Sequence, residues 1–445
     1  MTFTVKDVLR MEVAPALGCT EPGAVALGAA AAASLLNGAD IQSIEIWVDA
    51  NVYKNGIAAS IPGAGGLCGL ATASALGAVG GDPTLKLEVL EPIDDAILKR
   101  AHTLEAQGGV TVALLPDQQG PYVRTIVHAA KAGGEHGAPH WAESVIRGAH
   151  DNIVSLTLDG TPVPDSALLS GTGGKGNGLS ELEAWLRKLT MDELLGLLDD
   201  LDADDLAFMA EGVETNTRLA EYGNSHDCGL GVGRALERLA RQGLIQRDMI
   251  LAARILTSSA ADARMAGVKL PAMSSAGSVN HGLTAILPIW AVKDFVDTDH
   301  TTVLKAIALS HIITGFIKAY TGRLSALCGC SVAAGAGATA GIAYLLGGDK
   351  HHIAGAIANL VGDLTGVICD GAKAGCALKL STAAGTAVQA ALFSLQGVRI
   401  HPTDGIIAAT PEQTMQNVGT LSTQGMIDTD RTILQIMLAK QLVEA

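Results

Sequence analysis

The residues best suited to chemistry in this 445-residue chain are its seven cysteines, at positions 19, 68, 228, 328, 330, 369 and 376. A thiolate is both a nucleophile and a metal ligand. Four of the seven fall in two clusters, Gly322-Arg323-Leu324-Ser325-Ala326-Leu327-Cys328-Gly329-Cys330 and Ile368-Cys369-Asp370-Gly371-Ala372-Lys373-Ala374-Gly375-Cys376. Cys19 stands in Leu17-Gly18-Cys19-Thr20-Glu21-Pro22, just ahead of an expected helix, because Pro22 fits a first helical turn. The positive potential at a helix N-terminus favours the thiolate there. A single buried cysteine usually behaves as a small hydrophobe. Grouped beside glycines and polar turns, these point to a metal. Their spacing matches neither a structural zinc site nor a ferredoxin run, so spacing alone selects no metal. Cys68 and Cys228 are assigned to packing.

Two polar stretches could serve a ligand beside such a centre. Ser274-Ser275-Ala276-Gly277-Ser278-Val279-Asn280-His281-Gly282 is too rich in glycine and serine for a core helix. It precedes an apolar run, so its backbone N–H groups would face a ligand at a helix N-terminus. A substrate carboxylate suits Ser274, Ser275, Gly277, Ser278 and Asn280; an ordinary surface loop is the alternative. His281 is the expected proton carrier, since an imidazole can titrate near neutrality; the plainer alternative is a structural donor. Asn51, Lys54 and Asn55, with Pro62 and Gly63, read as a second polar turn at the edge of a strand-rich region. Asn51 and Asn55 are placed there as substrate-binding residues and Lys54 as a catalytic one, against the alternative of a solvated lysine. Lys373, four residues after Cys369, would share a helix face with it and reach the same site as a substrate-binding residue. Glu214 and Asn216 read as part of a helix face.

The elements that must position these residues divide into three segments. Residues 1–40 read as two helices broken at Leu17 to Pro22. Residues 41–170 form an α+β domain: 43–52, 85–93, 109–116, 122–130 and 152–160 carry strand patterns, and Asp94 to Gln107 a helix. Residues 171–445 read as helical almost throughout, with apolar residues recurring at intervals of three and four. Helices are expected over 179–198, 204–222, 230–241, 247–266, 301–320, 325–346, 352–361, 371–395 and 429–443. The fold class is therefore α+β, with a mixed N-terminal domain followed by a mostly helical one that carries the cysteine clusters. The stretch Ser170 to Ser180 is glycine-rich, but its spacing does not fit a phosphate loop, and it reads as a linker.

Composition narrows the function. Hydrophobic residues make up 48% and aromatics only 3%, with 53 glycines, which suits helices that approach closely. A formal net charge of −15 without a basic stripe disfavours nucleic acid. The mean hydropathy of +0.32 raises the question of a membrane. The uncharged stretches Leu324 to Gly348 and Leu380 to Val398 are long enough to span one, but they are mostly Ala, Gly, Ser and Cys and lack aromatic belts. A buried helical core is expected instead. The N-terminus has no basic segment ahead of an apolar one, and an odd number of cysteines does not suggest a disulfide framework. A reducing cytoplasm is the expected location.

GCTEP, KNG with IPG, SSAGSVNHG, GRLSALCGC and ICDGAK, in this order along essentially the whole chain, resemble the L-cysteine desulfidase family, which is related to the iron–sulfur L-serine dehydratases. The resemblance implies a [4Fe–4S] cluster held by three cysteines, with one iron open to substrate. Carried over, the ligands are Cys19, one cysteine of the LCGC motif and Cys369. Cys330 is preferred because the serine dehydratases carry a Gly-Cys pair there; Cys328 is the second choice. If Ser325 caps a helix, the two would point to different sides. Cys376, about 10 Å beyond Cys369 if the segment is helical, remains open as a substitute for Cys19, because serine dehydratases use a cysteine after this point. The implied reaction is β-elimination of sulfide from a small amino acid such as L-cysteine, giving pyruvate, ammonia and hydrogen sulfide, in a homo-oligomeric enzyme. L-serine dehydration on the same cluster is the nearest alternative. A membrane transporter and a pyridoxal-phosphate enzyme using Lys54 or Lys373 are more distant ones.

Overall fold

Thr4 opens the first helix, α1 (Val5–Glu12): its hydroxyl accepts from the Asp7 amide at 3.2 Å while the Asp7 carboxylate accepts from the Thr4 amide at 2.8 Å. A three-residue strand, β1 (Pro15–Leu17), then leads into α2 (Thr20–Ser34), with Cys19 at the N-cap position. The computed structural model describes residues 2–118, 120–132, 138–169, 175–323 and 325–444. Residues 170–174 of the expected linker lie outside the described residues.

The sheet that follows is built from β2 (Ile41–Asp49), β3 (Val110–Leu115), β4 (Tyr122–Ala132), β5 (Ala138–Arg147), β6 (Ile153–Leu158) and β7 (Thr161–Pro162), in the order β3-β2-β4-β5-β6-β7. Among the described residues, only the β2–β3 pair of this sheet is parallel. Alternation in β2 turns Ile44, Ile46 and Val48 inward, beneath α2 and α4 (Leu70–Gly80), which pack on each other. Asp49 ends β2 and starts α3 (Ala50–Gly56), its carboxylate accepting from the Asn51 amide at 2.9 Å and the Tyr122 amide at 2.8 Å. The expected polar turn at 49–56 is thus a capped helix. The helix expected at Asp94 is α5 (Asp95–Ala106).

The strand expected at 85–93 is not formed. Asp82 accepts from the Thr84 amide at 2.9 Å and Pro83 fixes the next φ, so Pro83–Glu88 winds into a short 3-10 turn. Leu85 is exposed, and the buried apolar residues Val89, Leu90 and Ile93 follow the turn in a segment that is not a strand.

The helical region holds α6 (Lys175–Leu186), α7 (Met191–Gly196), α8 (Ala203–Ser225), α9 (Val232–Arg241), α10 (Met249–Met265), a short strand β8 (Pro271–Met273), α11 (Val279–Val292), α12 (His300–Thr321), α13 (Gly335–Leu345), α14 (Lys350–Leu364), α15 (Cys376–Leu395), α16 (Pro411–Thr420) and α17 (Ile427–Glu444). The single helix expected at 179–198 is two, because the Thr190–Glu193 capping box starts a new one. The helix expected from Ser325 starts only at Cys330, with a wider π-type turn over Cys330–Ala334. The one expected from Gly371 starts at Cys376. Apolar residues pack in two cores: one joins the sheet to α2 and α4, the other joins α1 to the helical region. Among the described residues, two helices, α12 and α15, are long and apolar enough to cross a membrane, but their apolar windows are 89% and 61% buried within the protein. The expected apolar stretch at 324–348 forms only the 11-residue α13 after the π-type turn.

Candidate active site

Strand pairing sets the first contact. β1 and β8 pair antiparallel, Pro15 opposite Met273 and Leu17 opposite Pro271, which lays the 274–278 loop along Glu12–Ala14: the Ser274 amide donates to the Ala14 carbonyl at 2.8 Å and the Ala276 amide to the Glu12 carbonyl at 2.7 Å. Asn216, on the buried side of α8, completes that edge: its amide nitrogen donates to the Met273 carbonyl at 3.2 Å and its oxygen accepts from the Met273 amide at 2.8 Å. Asn216 therefore supports the loop from beneath, while Glu214 lies at the surface, paired with Arg218. Arg264, in the last turn of α10, brings Cys19 to this edge: it donates to Cys19 Sγ at 3.2 Å and to Asn280 Oδ1 at 2.7 Å.

The two cysteine clusters are joined by backbone. Leu327 and Ile368 form an antiparallel bridge; the Cys328 amide donates to the Val367 carbonyl at 2.9 Å and the Cys369 amide to the Ala326 carbonyl at 2.6 Å. The remaining motifs attach to the same knot. Gly371, at φ +92°, runs so close to the Lys54 carbonyl that a Cβ there would stand 2.5 Å from its oxygen. Asn55 donates to Glu21 at 3.0 Å, and its carbonyl oxygen lies 4.0 Å from Cys369 Sγ. A Cβ on Gly329 would sit 2.3 Å from His281 Nε2, so only glycine lets this imidazole rest against the Cys328–Cys330 loop. All five sequence motifs thus meet in one place.

Cys19, Cys328, Cys330, Cys369 and Cys376 share this region electrostatically, and Cys376 interacts with each of the other four. The premise that separated Cys376 from Cys369 is corrected: residues 369–375 are a turn, not a helix, and fold it back. The premise that set Cys328 and Cys330 on opposite sides fails too. They precede and start the π-type turn, and their thiols interact directly. Cys330 and Ser331 hold the Cys328 thiol down to about 6, and Cys328 and burial raise Cys330 well above the usual thiol range. Burial pushes Cys19 up to about 11 despite Arg264. Cys68 is exposed, so it is not a packing residue, and Cys228 is half-buried.

The other sequence candidates sort themselves around this knot. Lys54 is 1% exposed and ion-paired with Asp430 of α17, so it is not a solvated lysine. Lys373 pairs with Asp370 in the turn and does not share a helix face with Cys369. Among the described residues, the buried side-chain oxygen of Asn51 has no partner. Ser274 donates from Oγ to the Ala14 carbonyl at 2.6 Å. Ser275 Oγ lies 2.8 Å from His311 Nδ1, and its carbonyl lies 3.2 Å from His281 Nδ1. Ser278 occupies the N-cap position of α11 without using its hydroxyl there. Burial, then the nearby Lys318 charge, lowers His281 to about 3, so the ring is neutral.

Sequence reasoning missed Arg264, His311, Lys318 and Arg323. Lys318, 2% exposed, is lowered to about 8 by burial and by Arg323, and interacts with Cys369 and Cys330. The signal was present: a histidine and a lysine seven residues apart, inside the otherwise apolar α12. Arg323 is fixed by Glu12 through two bonds of 2.9 Å and by Glu183 at 2.8 Å. It borders a cleft enclosing about 770 Å³, counted to its open mouth, where Thr20, His150, Ser274, Ala276 and Gly277 also line the wall. The 274–278 loop therefore has the cleft on one side and the thiols on the other.

Among the described residues, no three His, Cys, Asp or Glu side chains already stand in closed metal-binding geometry. The donor set nevertheless fits a thiolate-held cluster. Five thiols gather beside the buried cations Arg264 and Lys318, whose charge an anionic iron–sulfur centre would balance.

A family model described as serine dehydratase alpha chain matches residues 86–435. A UPF0597 protein of Desulfatibacillum aliphaticivorans is 60% identical, with 99% of each chain covered. One of Desulfotalea psychrophila is 59% identical, again over 99% of each. One of Clostridioides difficile is 42% identical over 97% of this chain and 98% of its own.

Proposed function

The chain belongs to the serine dehydratase alpha-chain family, and from that premise we propose that it is an iron–sulfur amino-acid lyase that eliminates sulfide from L-cysteine. The observation that carries the reading is the meeting of all five motifs, three of them cysteine-bearing, around buried cations. Cys19, Cys330 and Cys369 would hold a [4Fe–4S] cluster, with Cys328 and Cys376 the further thiols of the same region. When bound, the cluster would supply an iron with an open position, a Lewis acid for the substrate.

The protein's own residues do the rest. Arg264 and Lys318 hold positive charge where thiolates and a substrate carboxylate must lose water. Lys54, held by Asp430, adds a cation beside Cys369. The 274–278 loop and Asn280 would orient the carboxylate. His281, neutral and facing the cysteine loop through Nε2, would take the α-proton. Loss of that proton and of hydrosulfide from the β-carbon leaves an enamine, which water converts to pyruvate and ammonia. An α-proton is too weakly acidic for an imidazole without such polarisation.

A second reading, L-serine dehydration, is favoured by the description of the family model. It needs the same residues and differs only in the leaving group. Anaerobically purified protein, assayed for pyruvate, ammonia and sulfide with each amino acid, separates the two. Cysteine turnover with a brown, iron-containing protein is expected. Iron-free protein that is inactive on both would sink both readings, and serine turnover alone would select the second.

A further inference from the structure

Two buried histidines meet on one serine, and the sequence motifs account for only one of them. We propose that His311 is a positioning residue, acting through Ser275 to keep the proton of His281 on Nδ1 and its Nε2 lone pair toward the cysteine loop. The inference rests on the lyase reading only for its consequence at turnover.

His311 sits midway along α12, 1% exposed, with Nδ1 2.8 Å from Ser275 Oγ and Nε2 buried without a partner among the described residues. If the serine hydroxyl donated to Nδ1, the imidazole proton would sit on Nε2, a buried donor with nothing to bind. Donation from His311 Nδ1–H to Ser275 Oγ would instead leave the Nε2 lone pair unfilled and turn the serine O–H elsewhere, and in either direction the Nδ1···Oγ bond is kept. That bond pins the Ser275 side chain. The Ser275 carbonyl, in turn, accepts from the Ser278 amide at 3.1 Å and faces His281 Nδ1 at 3.2 Å. A carbonyl oxygen only accepts, so His281 must carry its proton on Nδ1 to make this bond. Nε2 is then the lone pair, and it is the nitrogen that abuts Gly329 between Cys328 and Cys330. One hydrogen-bonded serine thereby sets which face of the catalytic imidazole is basic. Asn fits the test because its amide reaches the place of His Nδ1, whereas Gln reaches that of Nε2.

Full-length protein with 15N-labelled histidine reports the tautomer directly by long-range 1H–15N NMR, with His281 assigned from a His281→Gln variant. Native protein is expected to show His281 protonated on Nδ1, His311→Phe to show a mixture, and His311→Asn to return it to the native form. On the lyase reading, His311→Phe and His311→Gln lower kcat about tenfold or more, with KM and iron content unchanged, and His311→Asn recovers most of the loss. A native His281 tautomer in His311→Phe overturns the proposal, as does equal loss of kcat in the Asn and Gln variants. If His311→Phe fails to fold, the Asn and Gln pair decides. Native protein that turns over neither amino acid but shows the expected tautomers would sink the lyase reading and leave the positioning role standing.

Discussion

Cations flank the 274–278 loop on both sides, and they are neutralised in different ways. On the cleft side, Arg323 is clamped between Glu12 and Glu183, one carboxylate fully buried and the other partly so. On the thiol side, Arg264 donates to a sulfur and an amide oxygen, and Lys318 makes no ion pair among the described residues. Burying an ammonium or guanidinium without a counter-charge costs several kcal/mol. A charge already paid for by carboxylates is scaffold. A charge left facing thiols is held ready for an anion that arrives later, which is what a cluster, a thiolate or a substrate carboxylate would be.

The sharpest way to break this contrast is to remove a thiol. Cys369→Ala, purified without oxygen, is expected to lose essentially all of the iron, about four per chain, by colorimetric iron and sulfide analysis. Full retention of iron would mean that the cluster, if present, sits elsewhere. Next come the two cations themselves. Glu12→Gln strips Arg323 of a buried partner and should cost about 3–5 kcal/mol in denaturant unfolding. Arg264→Met removes a cation with no carboxylate to strand, so the metal-free protein should be destabilised far less than by Glu12→Gln. The same variant should lose iron to a chelator faster than the native protein. Equal destabilisation by both changes would erase the distinction drawn between the two sides.

How much of this the sequence disclosed follows the physics of each feature. The thiols of 19, 328, 330, 369 and 376 stood in glycine-rich motifs, and those motifs do meet. Helices with strong periodicity, such as α8 and α12, were found within a few residues. What failed were local geometries decided by a cap or a turn. Asp49 converts a polar stretch into α3, Asp82 and Pro83 convert an apolar alternation into a 3-10 turn, and the 369–375 turn returns Cys376 to its neighbours. Arg264, His311 and Lys318 lay outside every motif. The seven-residue spacing of His311 and Lys318 marks a polar pair within α12, but tertiary packing alone makes these residues neighbours of the thiols.

His311 offers a smaller test of burial on the thiol side. Its pKa falls from 6.5 to about 3 through desolvation alone, so between those limits the unfolded chain binds a proton that the native protein does not. Stability therefore declines as pH drops from about 6.5 toward 3, by up to about 1.4 kcal/mol per unit for this residue. His281, lowered to about 3 as well, contributes in the same sense. His311→Phe should flatten the acid limb of stability against pH by one proton, leaving the His281 share. An unchanged slope would mean that the ring reaches solvent.

The smallest expected effects belong to the two cysteines outside the knot. Cys68 is exposed, and its backbone carbonyl accepts from Thr72 Oγ at 3.1 Å. Cys228 is half-buried, its thiol raised by burial and by the Asp262 carboxylate. Among the described residues, neither thiol is hydrogen-bonded to the other five, so a serine at either position deprives the site of nothing. Cys68→Ser should change unfolding stability by no more than about 0.5 kcal/mol, and Cys228→Ser should leave the iron content of anaerobic protein at the native level. If Cys228→Ser lost iron, the cluster would have to reach toward α9, away from the Arg264 and Lys318 charges, and those cations would need another reason for facing sulfur.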